Sequence, residues 1–336
     1  MPARTGAART GPRPAPVGPA DRGTPVPADI PVPADIPVPA DAAAITRAAS
    51  RQSYLTIRWL VDRAYRADAF AYYAYFRWLD DEVDEHLGTR EERLALVARQ
   101  RALLDRVVAG RAPGDVGPEE ALLVHLAGQG APRLLLALTA MLDVMERDAG
   151  RRGQLVPQAA LDAGTHDLAV AVTEALHHCI GHGCRSPEDD SRYVAVTGAH
   201  VAHMLRDAVA DVAAGYPNVP AELVPGGTLH AADLHRPELR AWVRDRVGFA
   251  RSCFAQGRAY LARVDSARCR LAGHAYIARF EWVLDAIERD GYRLRASYPE
   301  RATLRGGLQV AAAAARSALA GRAASAAGTR TQEGTR

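Results

Sequence analysis

Two short segments place acidic residues at helical spacing. The first runs Phe70-Ala-Tyr-Tyr-Ala-Tyr-Phe-Arg-Trp-Leu-Asp-Asp-Glu-Val-Asp-Glu85. On a helix, Phe70, Tyr73, Arg77, Asp80 and Asp84 follow steps of three and four residues and fall within an arc of about 80°. The stripe changes along its length from aromatic, through one arginine, to paired carboxylates. Like charges one turn apart destabilise a helix by about 0.2–0.5 kcal/mol, and a bound cation relieves that repulsion. Two carboxylates at this spacing suit Mg²⁺, which takes one or two carboxylates and completes its shell with water and phosphate oxygens. A solvated acidic face would carry the same residues, but the aromatic half argues that this stripe is not wholly exposed.

The second segment is His200-Val-Ala-His-Met-Leu-Arg-Asp-Ala-Val-Ala-Asp211. His200, His203, Asp207 and Asp211 also share an arc of about 80°, with Arg206 beside them. Taken alone, these aspartates also suit a surface and the histidines a core boundary. Two such helices in one chain say more than either alone. Facing each other, they would gather four carboxylates, and hence Mg²⁺, around a diphosphate, where metal stabilises negative charge on the leaving group. Aromatic faces beside such a site stabilise a carbocation by about 2 kcal/mol or more when desolvated. That is the chemistry of ionising an allylic isoprenyl diphosphate.

The elements that must hold these stripes are helices. Segments 43–64, 67–87, 90–109, 132–148, 166–181, 190–213, 238–263 and 268–290 carry apolar residues three and four apart, and long alternating strand patterns are absent. Breaks fall at Gly88-Thr89, Ala112-Pro-Gly114, Gly150-Arg-Arg-Gly153, Arg185-Ser-Pro187, Tyr216-Pro-Asn218 and Pro225-Gly-Gly227. The expected fold is all-α, one large helical bundle over 42–304. Residues 1–41 hold eleven of the 21 prolines and repeat Pro-Val-Pro-Ala-Asp; they read as an extended leader, either a docking tail or dispensable. Residues 305–336 read as an Ala/Arg/Gly-rich tail, helical over 308–324 and then disordered.

Composition removes other classes. The 336 residues carry a net charge of +3, too balanced to argue for nucleic acid or an anionic membrane as the main partner. All 42 basic residues are arginine. Schiff-base chemistry on lysine and a P-loop are therefore excluded. Cys179, Cys184, Cys253 and Cys269 form no CxxC pair, which fits a reducing, cytoplasmic setting. The longest apolar stretch, Leu134 to Val144, is far short of the roughly 20 residues that span a bilayer; peripheral membrane contact stays open. Spacing assigns no oligomeric state.

The chain resembles the squalene/phytoene synthase family, which shares the isoprenoid synthase fold. Three blocks carry the resemblance: Ser50-Arg-Gln-Ser-Tyr54, Tyr73-Ala-Tyr-Phe-Arg-Trp-Leu-Asp-Asp-Glu-Val-Asp84, and Leu205-Arg-Asp-Ala-Val-Ala-Asp211 followed by Gly215 and Pro220. A weaker one is Leu284-Asp-Ala-Ile-Glu-Arg-Asp-Gly-Tyr292. The resemblance implies that Asp80 and Asp84 ligate Mg²⁺ at one diphosphate, and that Asp207 and Asp211 do so from the opposite helix. It implies that Arg77 and Arg206 support diphosphate binding, that Ser53 and Tyr54 line the same mouth, and that Tyr73 and Phe76 sit near the reacting prenyl chain. The implied reaction is head-to-head condensation of two prenyl diphosphates through a cyclopropyl intermediate.

The pattern departs from the family in the half that takes the second substrate. His200 and His203 stand where the family has Gln and Asn, and are counted with the substrate-binding residues. No Tyr occurs between Val170 and Gly183; His177, His178 and His182 lie there instead, as a replacement proton acceptor or as polar helix-end residues. A zinc site formed by these histidines with Cys179 and Cys184 matches no known ligand spacing. Two alternatives follow: a single-substrate terpene cyclase or diphosphate lyase on the same scaffold, and a non-enzymatic assembly or partner-binding protein.

Overall fold

The computed structural model describes residues 41–298, and among them every regular element is helical. The readings of 1–40 and of 305–336 lie outside the described residues. The helices are α1 (Ala42–Ala49), α2 (Arg51–Leu60), α3 (Arg66–Asp81), α4 (Arg90–Val108), α5 (Pro118–Gly128), α6 (Pro132–Arg151), α7 (Gln158–Cys179), α8 (Val194–Ala214), α9 (Pro237–Leu261) and α10 (Ala267–Arg289). None of them is long and apolar enough to cross a membrane.

Three local departures from the periodicity have physical causes. The segment 43–64 is two helices, because the Ser50 hydroxyl accepts from the Ser53 backbone N–H at 3.1 Å and starts α2 afresh. Helix α5 is absent from the periodic segments, because its Ala121, Leu122, Leu123, Val124, Leu126 and Ala127 are all buried, leaving no polar face to set a period. Beyond Asp81 the chain widens into one π-turn, Glu82–His86, closed by Leu87 N–H donating to Glu82 C=O at 3.0 Å. The acidic run lies there against the negative end of the α3 dipole.

A small apolar cluster around Ile57, Val61 and Ile180 and two large ones fill the bundle. One gathers α3 to α7 around Tyr75, Leu79, Leu123 and Leu138. The other gathers α8 to α10 around Leu205, Phe254 and Leu284. Tertiary hydrogen bonds set the helix directions. Tyr72 Oη donates to Ala137 C=O at 3.3 Å, beside the start of α6, and Gly153 N–H donates to Gly215 C=O at 2.6 Å, just past the ends of α6 and α8. Arg133, at the start of α6, meets Glu174, near the end of α7, at 2.8 Å. Thus α3, α6 and α8 run the same way and finish at one end of the bundle, while α7 runs against them.

Helix α8, which carries the second acidic segment, is seated by a close crossing. A Cβ on Gly198 would lie 2.8 Å from Cys253 Cβ and 2.9 Å from Ala250 O, and one on Gly257 would lie 2.7 Å from Ala195 Cβ. The backbones of α8 and α9 approach through these two glycines. Gly198→Val is therefore expected to lower the unfolding free energy by about 1–3 kcal/mol. Gly248→Ala on α9, where a Cβ meets open space, should leave it unchanged or raise it. Denaturant midpoints of the two variants check this.

Candidate functional site

Both acidic segments end at the same face of the bundle. Asp80 closes α3 and Asp84 lies in the π-turn; Asp207 and Asp211 lie in the last two turns of α8. Neither helix has a basic residue in its last turn. Carboxylates therefore sit at the negative ends of two helix dipoles, the reverse of the stabilising placement.

The balance comes from between them. The end of α6 brings Asp148, Arg151 and Arg152 to the same face. Arg151 and Arg152 place their guanidinium carbons 5.8 and 5.7 Å from the Tyr216 ring, from the turn after α8. The Tyr216 hydroxyl is buried beside Asp84 without a fully formed hydrogen bond. Arg151 acts on Asp84 and Asp211 alike, so one guanidinium spans the two acidic segments. Its Nη1 is buried with no hydrogen-bond partner.

The aspartates divide by environment. Burial, then the charge of Asp84, pushes Asp80 up to about 6, against the pull of Arg77. Burial also pushes Asp211 up to about 6, although Asn218 Nδ2 donates to it at 2.9 Å. Burial raises Asp84 as well, opposed by Tyr216. Asp207 goes the other way: burial alone would raise it, but Arg206 and His203 hold it well below the usual carboxylate range. Arg206 Nε donates to Asp207 at 2.6 Å, and His203 Nε2 lies 2.8 Å away. Arg77 grips Asp81 with two nitrogens and reaches Asp80 with a third at 3.4 Å.

The other singled-out residues lie farther in. Phe76 is buried against Tyr72 and Tyr75, with ring centroids 4.8 Å from each. Tyr73 packs on the cluster of Ile57, Val61 and Ile180. Ser53 accepts from the Ser50 hydroxyl at 2.9 Å, and Tyr54 packs on Phe70, 5.6 Å between centroids. Phe70 precedes Asp80 by about 15 Å along α3, so Tyr54 belongs to the aromatic half of the stripe. His200 has its Nδ1 buried and unpartnered, and burial pushes its imidazole down to about 3.

His177, His178 and His182 stand at the opposite end, beside a cavity of about 490 Å³ that Arg133, Glu174, Arg192 and Tyr193 also line. Fifteen residues of α6 separate Arg133 there from Asp148 at the acidic face, about 22 Å. His177 Nε2 is hydrogen-bonded with the Tyr260 hydroxyl at 2.9 Å, and His182 stacks on Tyr65 at 4.3 Å. These contacts tie the histidines into the far end of the bundle, away from the aspartates.

Sequence spacing missed Asp148, Arg151, Arg152, Tyr216 and Asn218. Gly150-Arg-Arg-Gly153 and Tyr216-Pro-Asn218 were visible only as breaks between helices. Among the described residues no three His, Cys, Asp or Glu side chains are already gathered as a metal site. The carboxylates come in pairs along each segment, which is the donor set Mg²⁺ takes when water and phosphate supply the rest. Crowded, desolvated carboxylates with raised pKa fit such a cation.

The profile of the squalene/phytoene synthase family matches residues 46–307. The chain belongs to the squalene/phytoene synthase family. The match spans both acidic segments, the Ser50–Tyr54 block and the far cavity. Membership supports head-to-head prenyl diphosphate condensation as the general chemistry. No curated protein sequence matches significantly. Solved structures share the all-α fold. Squalene synthase HpnC from Alicyclobacillus acidocaldarius is 23% identical with a TM-score of 0.59, covering 76% of this chain and 94% of that one. A dehydrosqualene synthase in complex with ligand is 16% identical with a TM-score of 0.58, covering 82% and 93%. A complex of TcSQS with BPH1237 is 15% identical with a TM-score of 0.59, covering 83% and 87%.

For this family member, the raised carboxyls fix a pH dependence. A carboxyl whose folded pKa is raised favours the fold when neutral, so its contribution falls as the pH rises between 3.8 and about 6. In metal-free protein, the melting temperature of the parent should fall relative to Asp80→Asn and Asp211→Asn across that window. With 43% of the Asp80 side chain open to solvent, screening moderates the effect there. Asp207→Asn should behave oppositely: the parent's advantage over it is present at neutral pH and shrinks as acid protonates Asp207. Thermal melts of the three variants check both signs.

Proposed function

We propose that the chain is a Mg²⁺-dependent prenyltransferase that ionises an allylic isoprenyl diphosphate and condenses it head-to-head with a second. The observation that carries this reading is the meeting of two carboxylate-bearing helix ends at one face, with arginines between them, in a chain of this family. Asp80 and Asp84 from one side, and Asp207 and Asp211 from the other, would hold Mg²⁺, which when bound supplies charge neutralisation to a departing diphosphate.

The chain's own residues do the rest. Arg151, with an unpartnered Nη1, offers a donor to a phosphate oxygen. Arg77 and Arg206, now clamped on aspartates, orient those carboxylates and neutralise charge at the face. Behind Asp80, Phe70, Tyr73 and Phe76 present an aromatic wall that suits a prenyl chain and shields an allylic cation from water. The His200 imidazole stays neutral and can orient substrate without adding charge.

Incubation with ten-, fifteen- and twenty-carbon prenyl diphosphates and Mg²⁺, followed by mass spectrometry, tests this. A dimeric hydrocarbon or a cyclopropyl diphosphate is expected. Asp80→Ala and Asp207→Ala should each lose at least about a hundredfold in kcat, and chelation should abolish turnover. Full activity in either variant overturns the metal assignment. A monomeric terpene makes the chain a single-substrate cyclase or diphosphate lyase. No product from any substrate supports a non-enzymatic, partner-binding role.

A further inference from the structure

We propose that the outward face of α2 docks this protein on a lipid bilayer carrying anionic headgroups. Large apolar side chains are normally covered, and an exposed group of them marks an interaction surface. Trp59 is 70% exposed and Leu55 43%. Leu55 and Trp59 are one turn apart on α2, and Arg51 and Arg58 share their face. Arg51 and Arg58 are exposed, and the Arg58 guanidinium lies 5.7 Å from the Trp59 ring.

Charge chooses the occupant. From Ala42 to Arg66 the chain has five arginines and one acidic residue, Asp62. Asp62 is already ion-paired with Arg268. A net charge of +3 for the whole protein hides this local excess. A face that mixes tryptophan and leucine with arginine matches the headgroup boundary, where an indole sits between water and acyl chains and guanidinium groups meet phosphate. A neutral protein groove would match the apolar residues and leave the arginines without counter-charge.

The inner face of the same helix gives the docking a use. Ile57 is buried with Val61, and Tyr54 packs on Phe70 at the head of the aromatic stripe. One helix, about 10 Å thick, thus separates the lipid-facing side from the wall assigned to the prenyl chain. A condensation product that has lost its diphosphate is an uncharged hydrocarbon, and a bilayer is its natural solvent. This use rests on the proposed prenyltransferase reading, whereas the docking itself does not.

Co-sedimentation of the full chain with vesicles tests the docking independently of turnover. Vesicles of phosphatidylcholine mixed with phosphatidylglycerol should bind the protein, and pure phosphatidylcholine vesicles should bind it far less. The double variant Leu55→Ser, Trp59→Ser should lose about tenfold or more in partitioning, and Arg58→Gln about fivefold. Leu136→Ser, at an exposed leucine on α6 (46%), should leave it unchanged. Both α2 variants should retain activity on detergent-dispersed substrate, which also shows that they fold. Equal binding to both vesicle types overturns the proposal, as does unaltered binding by the double variant. So does a lipid-free dimer of the parent that the double variant dissolves, because the face would then belong to a second copy.

Discussion

Negative charge collected at one end of the bundle governs the rest of the structure. Helices α3, α6 and α8 run the same way, so the negative ends of three helix dipoles finish together. Four aspartates are added to the ends of α3 and α8, where a helix dipole repels them. Left alone, this arrangement is electrostatically costly. Burial first, and a neighbouring carboxylate after it, push Asp80 and Asp211 up to about 6. A protein keeps such a feature when something positive is meant to enter it. Arg151, Arg152 and Arg206 supply part of that charge, and the Mg²⁺ proposed for this face would supply the remainder.

The support behind this face is apolar and close-fitting. Gly198 and Gly257 let α8 settle against α9 without a side chain between them. Tyr72, Tyr75 and Phe76 lock α3 into the first core, with Tyr75 donating to Gln100 at 3.1 Å. The π-turn after Asp81 lets the acidic run leave the α-helical register without a break in the chain. Rigid elements thus carry the carboxylates, which is what a metal and diphosphate site requires to hold its geometry.

Much of this was legible from residue order. Steps of three and four placed Asp80 with Asp84 and Asp207 with Asp211 on common faces, because helical periodicity is a local property. Helix α5 and the break at Ser50 escaped notice for equally local reasons: one is buried nearly all round, and the other depends on a single hydroxyl turning back to cap a new helix. The sequence could not place the histidines near the end of α7 relative to the aspartates; the direction of that helix puts them at the far end.

By itself, the sequence determined the all-α class and both acidic motifs, since these follow from spacing within one helix. Only the tertiary structure decided that Arg151, Arg152 and Tyr216 stand between the motifs, and that Trp59 is left uncovered. Those facts depend on which helix ends meet and which faces pack, and residues brought together from Asp84, Arg151 and Tyr216 share no period that could announce them.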